Sequence, residues 1–146
     1  MSSFRSTLLA CLSGLVVGVV AMSFNRTTAD DAAKNPGVYE LRIYTTEEGR
    51  LPALEKRFRD HTLKLFEKHG MKNVMYWTPT DPAKANNTLI YVLWHESEEA
   101  AKKSFEAFGK DPEWIAARDA SEKDGKIVAK VERTFMKETE YSPKHH

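Results

Sequence analysis

The run Val38-Tyr39-Glu40-Leu41-Arg42-Ile43-Tyr44 sets a carboxylate, a guanidinium and a phenol at alternate positions. In an extended strand such positions share one face, so Glu40, Arg42 and Tyr44 project together. An arginine on an otherwise apolar wall can fix an anionic group. A phenol, a carboxylate or an imidazole beside it can handle a proton. His95, at the end of a later strand, is placed to reach a cleft mouth as an acid–base group or a haem ligand. Trp77 and Trp94 add aromatic walls. The candidate ligand-binding set is therefore Glu40, Arg42, Tyr44, Trp77, Trp94 and His95, with Arg42, Tyr44 and His95 the catalytic candidates. The competing structural reading makes Glu40 and Arg42 a salt-bridged pair at a partly wet interface, His95 a strand-end polar residue in water, and Trp77, Trp94 and Trp114 packing residues.

Other chemistry is poorly provided for. His61 and His69 lie eight positions apart on one helical stretch, without an acidic ligand at metal spacing, so no metal site is read. The single cysteine, Cys11, falls in the N-terminal leader, leaving the rest of the chain without a disulfide or a thiol nucleophile. There is no glycine-rich phosphate loop after a strand and no telling Ser-His-Asp set or carboxylate pair. No cofactor is expected, haem being the low alternative. The net charge of +1, from 22 basic and 21 acidic residues, offers no footprint for nucleic acid.

These residues need a scaffold, and the chain of 146 residues divides into an address and one domain. Residues 6–25 carry no charge and are flanked by Arg5 and Arg26. A positive start and an apolar middle read as an export signal cut after Ser23, with Ala21 and Ser23 as the small residues before the cut. The rival is an uncleaved membrane anchor, which is just long enough to span. The protein is thus expected to be periplasmic or extracellular, touching a membrane only through residues 6–25 if they are retained. Residues 1–25 read as the signal peptide or membrane anchor, 26–36 as a flexible linker, 37–139 as the folded domain and 140–146 as a polar tail.

Within the domain, Val38 to Tyr44 alternates as a strand, with Tyr39, Leu41 and Ile43 expected under the helices. Leu51, Leu54, Phe58, Leu65 and Phe66 form one apolar helical stripe, with Pro52 in the first turn and Gly70 as the stop. Met71 to Thr78 and Thr88 to His95 read as strands, the latter apolar on both faces and therefore central. Ser97 caps a helix that Gly109 closes. A short helix begins at Asp111-Pro112, and Lys126 to Thr139 is a final long strand. The order β-α-β-β-α-β is the split arrangement of ferredoxin-like folds. The fold class is α+β: a four-stranded antiparallel sheet with helices on one face only. The other face would then carry large side chains, Trp94 or Tyr91 and Trp77 or Tyr76. A patch of that kind calls for a cover, and a second copy of the same sheet is the simplest, giving a homodimer with a cleft between sheets.

The ordered set Val38 to Tyr44, Glu67-Lys68-His69-Gly70-Met71, Tyr76-Trp77, Leu93-Trp94 and Asp111-Pro112-Glu113-Trp114 resembles the NIPSNAP family. The resemblance covers roughly residues 37 to 137 and implies a dimeric α/β-barrel of ferredoxin-like subunits. It implies no catalytic residues. The expected function is an exported, dimeric small-molecule-binding or interaction module. The alternative is a cofactor-independent or haem-linked monooxygenase or isomerase working in the inter-sheet cleft.

Overall fold

The computed structural model describes residues 36–143. The expectations about export, cleavage and anchoring fall on residues outside that range. Within it the elements are β1 (Val38–Thr46), α1 (Leu51–Arg57), a π-helical turn (Phe58–Thr62), α2 (Leu63–Lys68), β2 (Lys72–Trp77), β3 (Thr88–His95), α3 (Glu98–Lys110), α4 (Pro112–Ser121) and β4 (Val128–Met136). The four strands form one antiparallel sheet in the order β2-β3-β1-β4, the ferredoxin-like topology.

α1, the π turn and α2 form one continuous helical stretch. Pro52 starts it, and the left-handed Gly70 (φ 76°) ends it. Its stripe of Leu54, Phe58, Leu65 and Phe66 is buried against the sheet. Inside the π turn the Leu63 N–H reaches back to the Phe58 carbonyl, and the Thr62 hydroxyl donates to the Arg57 carbonyl at 3.2 Å. One extra residue is thereby accommodated in the helix. Ser97 caps α3 by accepting from the Ala100 N–H, as its position before two glutamates suggests. Gly109 does not close α3, which runs on to Lys110. The stop comes instead from Asp111, whose extended backbone caps α4. The helical stripes meet over Tyr91: Phe58 and Phe66 pack on its ring at centroid distances of 5.2 and 6.1 Å, and Phe108 lies 5.0 Å from Phe66. β4 is shorter than expected; the buried Ile127 directly precedes it, and the register shift at Thr45/Thr46 falls inside it, between Val128 and Lys130.

Asp111 ties the helical elbow to the end of α2. One oxygen accepts from the Glu113 N–H at 2.8 Å; the other accepts from Lys68 at 2.9 Å and His69 at 2.7 Å. Hydrogen bonds from Lys68 first, then His69 and the Glu113 backbone, hold this carboxylate well below the usual range. A group whose folded pKa is depressed stabilises the fold above its unfolded pKa of about 3.9. That contribution fades as pH falls from there towards the folded value. The urea midpoint should therefore drop in acid, beginning below about pH 5. Asp111→Asn, which keeps the cap and loses the charge, should flatten that decline; an unchanged acid profile would show that Asp111 contributes nothing to it.

Candidate functional site

The register decides what each face of the sheet presents. Residues paired across strands point to the same side. Glu40 pairs with Leu93 and Phe135, Arg42 with Tyr91 and Arg133, and Tyr44 with Leu89 and Val131. This is the face beneath the helices. Tyr39 pairs with Trp94 and Met136, Leu41 with Val92, and Ile43 with Ile90. This is the face the helices leave open. The expected orientation of β1 is thus reversed: Tyr39, Leu41 and Ile43 lie on the open face, and Glu40, Arg42 and Tyr44 lie under the helices.

The physical reason is that the polar residues satisfy one another inside. Glu40, fully buried, accepts from Arg42 Nη1 at 3.0 Å through one oxygen and contacts His95 Nε2 at 3.1 Å through the other. His95 is 1% exposed, so it neither stands in water nor reaches a cleft mouth. The Arg42 guanidinium lies 4.2 Å from the centroid of the Phe105 ring on α3 and 5.7 Å from that of Tyr44. Tyr44 packs edge-on against Tyr91 at 5.2 Å, and Tyr76 stacks on Tyr91 at 5.3 Å. Burial, with Tyr44 alongside, pushes the Tyr91 phenol well above its ordinary pKa; burial first, then Tyr44 and Glu67, raises that of Tyr76. Both phenols stay protonated at neutral pH. The six sequence candidates therefore fall into two groups. Glu40, Arg42, Tyr44 and His95 come together under the helices, while Trp77 and Trp94 belong to the opposite face. A cleft between two sheets has no access to Arg42, Tyr44 or His95.

The open face is apolar across three strands. It carries Tyr39, Leu41 and Ile43 from β1, Ile90, Val92 and Trp94 from β3, and Met75 and Trp77 from β2. Met75 is 51% and Trp77 47% exposed. A bulge between Asn73 and Met75 leaves Val74 as the extra residue, which brings Met75 opposite Val92 on this face. Lys72 lies 4.2 Å above the Trp94 ring, and the Trp94 indole donates to the Pro36 carbonyl at 3.1 Å. The segment after β4 runs along one rim, where the Tyr39 hydroxyl bonds Glu138 at 3.0 Å. Tyr39, Met75, Trp77, Val92, Trp94 and Met136, with the tail residues Lys137 to Thr139, enclose a concavity of about 870 Å³. Sequence reasoning missed Tyr39, Met75, Val92 and Met136 as parts of this surface. No signal in the sequence singled them out, because period-two alternation does not say which face of β1 turns outward and β3 is apolar on both faces.

Gly37 fits the chain start against this face. Its φ is +71°, and a β-carbon there would sit 2.5 Å from the His95 carbonyl oxygen and from two ring atoms of Trp94. Gly37→Ala should cost at least about 1 kcal/mol from the left-handed backbone alone, with the clash added. A thermal midpoint within a degree or so of wild type, for a domain where 1 kcal/mol moves it by about 4–8 °C, would contradict that.

His69 bonds Asp111, and His61 is an exposed side chain in the π turn. Among the described residues no group of three His, Cys, Asp or Glu side chains could hold a metal, and no helix is long and apolar enough to cross a membrane.

Fold and surface together define a ferredoxin-like α+β domain whose sheet is sheathed by helices on one side and is apolar across three of its four strands on the other, with Thr134 and Glu132 on the β4 edge. The NIPSNAP family model matches residues 39–143. The chain belongs to the NIPSNAP family. Among solved structures it resembles a NIPSNAP family protein of unknown function from Agrobacterium tumefaciens, at 21% identity and TM-score 0.62, over 73% of this chain and 92% of that one. A NIPSNAP-like domain protein from Burkholderia xenovorans gives 13% identity and TM-score 0.63 over 75% and 91%. A Streptomyces coelicolor monooxygenase, solved with nanaomycin D, shares the fold at 16% identity and TM-score 0.50 over 75% and 93%. No curated protein matches this chain.

Proposed function

We propose that this chain is an exported, non-catalytic binding and interaction module that works as a homodimer joined through its open sheet faces. The observation that carries the reading is the apolar surface opposite the helices, with Met75, Trp77 and Met136 all substantially exposed in the single chain. Contiguous apolar patches of this kind mark interfaces on soluble proteins. A second copy brings an identical, self-complementary surface, as a two-fold interface requires. The concavity beside Trp94 then becomes a closed chamber lined mainly by apolar and aromatic groups, suited to a small apolar ligand. The non-catalytic part of the reading is supported by Glu40, Arg42 and His95, which are occupied with one another. Export follows from the leader as a proposal of the same kind.

Sedimentation velocity of the full chain in density-matched mild detergent tests the assembly. A dimer at micromolar concentration is expected, and a stable monomer there overturns the shared interface. Intact mass of the protein recovered from its host tests the leader. Loss of residues 1–23 is the expected result; a full-length mass in the membrane fraction supports the uncleaved anchor instead.

A further inference from the structure

A second cleft lies on the helix side of the sheet edge, sharing only Trp77 with the lining of the open-face concavity. It opens where the π turn faces the end of β2. Its volume is about 300 Å³, and Phe58, Leu63, Tyr76 and Leu89 form its apolar walls. Trp77 and Thr78 stand at the rim. Two charges border it, Glu55 from α1 and Arg59 from the π turn. Neither has an ion-pair partner among the described residues, whereas their helix neighbours Lys56 and Asp60 pair with each other. The turn that carries Phe58 and Arg59 is a π insertion, a departure from regular helix that is frequent at functional sites.

We infer that this cleft binds a small aromatic zwitterion, a molecule of the aromatic amino-acid class. The ring lies among Phe58, Leu63, Tyr76 and Leu89, where aromatic and aliphatic faces both favour it. The carboxylate meets Arg59, whose planar donors suit it. The ammonium meets Glu55. The volume is at the low end for ligand pockets, which limits the occupant to one small ring system. Neither charged group takes part in the core, so the site is separable from folding.

The test is calorimetric titration of the full chain in mild detergent with L-phenylalanine. Two analogues accompany it: 3-phenylpropionate, which lacks the ammonium, and phenethylamine, which lacks the carboxylate. L-Phenylalanine should bind with a Kd of about 1 mM or tighter, and each analogue at least about tenfold more weakly, since each loses one charge-assisted contact. Arg59→Gln should abolish the advantage over phenethylamine, and Glu55→Gln the advantage over 3-phenylpropionate. Both variants should keep the wild-type thermal midpoint. No heat with any probe at about 10 mM overturns the inference. So does equal binding of all three probes, or an unchanged Kd in both variants. Sedimentation of the same samples reports the dimer separately, so failure here leaves that reading standing, and the reverse also holds.

Discussion

Replacing Glu40 with alanine should destabilise the domain by about 3–5 kcal/mol, the cost of leaving a buried partner charge uncompensated. Glu40 is wholly enclosed, and the Arg42 side chain beside it is only 11% exposed. The substitution strands the guanidinium under Phe105 and removes the only side-chain hydrogen-bond partner His95 has among the described residues. Urea titration followed by circular dichroism measures the loss as a fall in midpoint at constant slope. A second variant separates the charge from the shape. Glu40→Leu combined with Arg42→Met removes both partners together, and apolar replacements of similar volume are often neutral for a buried pair. The double variant should therefore recover the part of the loss that comes from the stranded guanidinium, while the part from His95, still without its partner, remains. If Glu40→Ala itself costs less than about 1 kcal/mol, the pair is not the buried unit described here.

The second large effect concerns assembly. Val92 sits in the middle of the open face, opposite Leu41 on one side and Met75 on the other. Val92→Lys places one ammonium in each copy within a shared apolar interface. Desolvation and like-charge repulsion should weaken the dimer by about 100-fold or more, converting it to monomer at micromolar concentration. In the separate chain the same lysine can reach water, so the unfolding free energy of the monomer should change by no more than about 0.5–1 kcal/mol. Lys103→Glu, on the exposed side of α3, is the control and should leave the dimer intact. Equal sedimentation of Val92→Lys and wild type would remove the open face as the interface.

Much of the fold was legible in the chain. The 3.6-residue spacing of Leu51, Leu54 and Phe58 marks the first helix, and Pro52 and Gly70 mark its limits. Ser97 and Asp111 mark the next two starts. The doubly apolar β3 is indeed an inner strand. The π turn was not legible, because Leu51, Leu54, Phe58, Leu65 and Phe66 keep ordinary α-helical spacing across it and no break in the stripe marks the inserted residue. Nor was the bulge at Val74, where the alternation of Met71 to Thr78 reads equally well without it.

The site is where chain and structure part. Alternation in β1 determined that Glu40, Arg42 and Tyr44 would share a face, and they do. The single apolar stripe on each helix determined that one sheet face would lack a helical cover. Which set of side chains went to which face was decided only by tertiary structure. Both sets on β1 contain enough apolar surface to be buried, so period-two patterning cannot choose between them. The choice came with partners remote in sequence. His95 joins the neighbouring Arg42 on the Glu40 carboxylate, and Phe105 covers the guanidinium; those contacts offset the burial of charge that would otherwise have sent Glu40 and Arg42 outward.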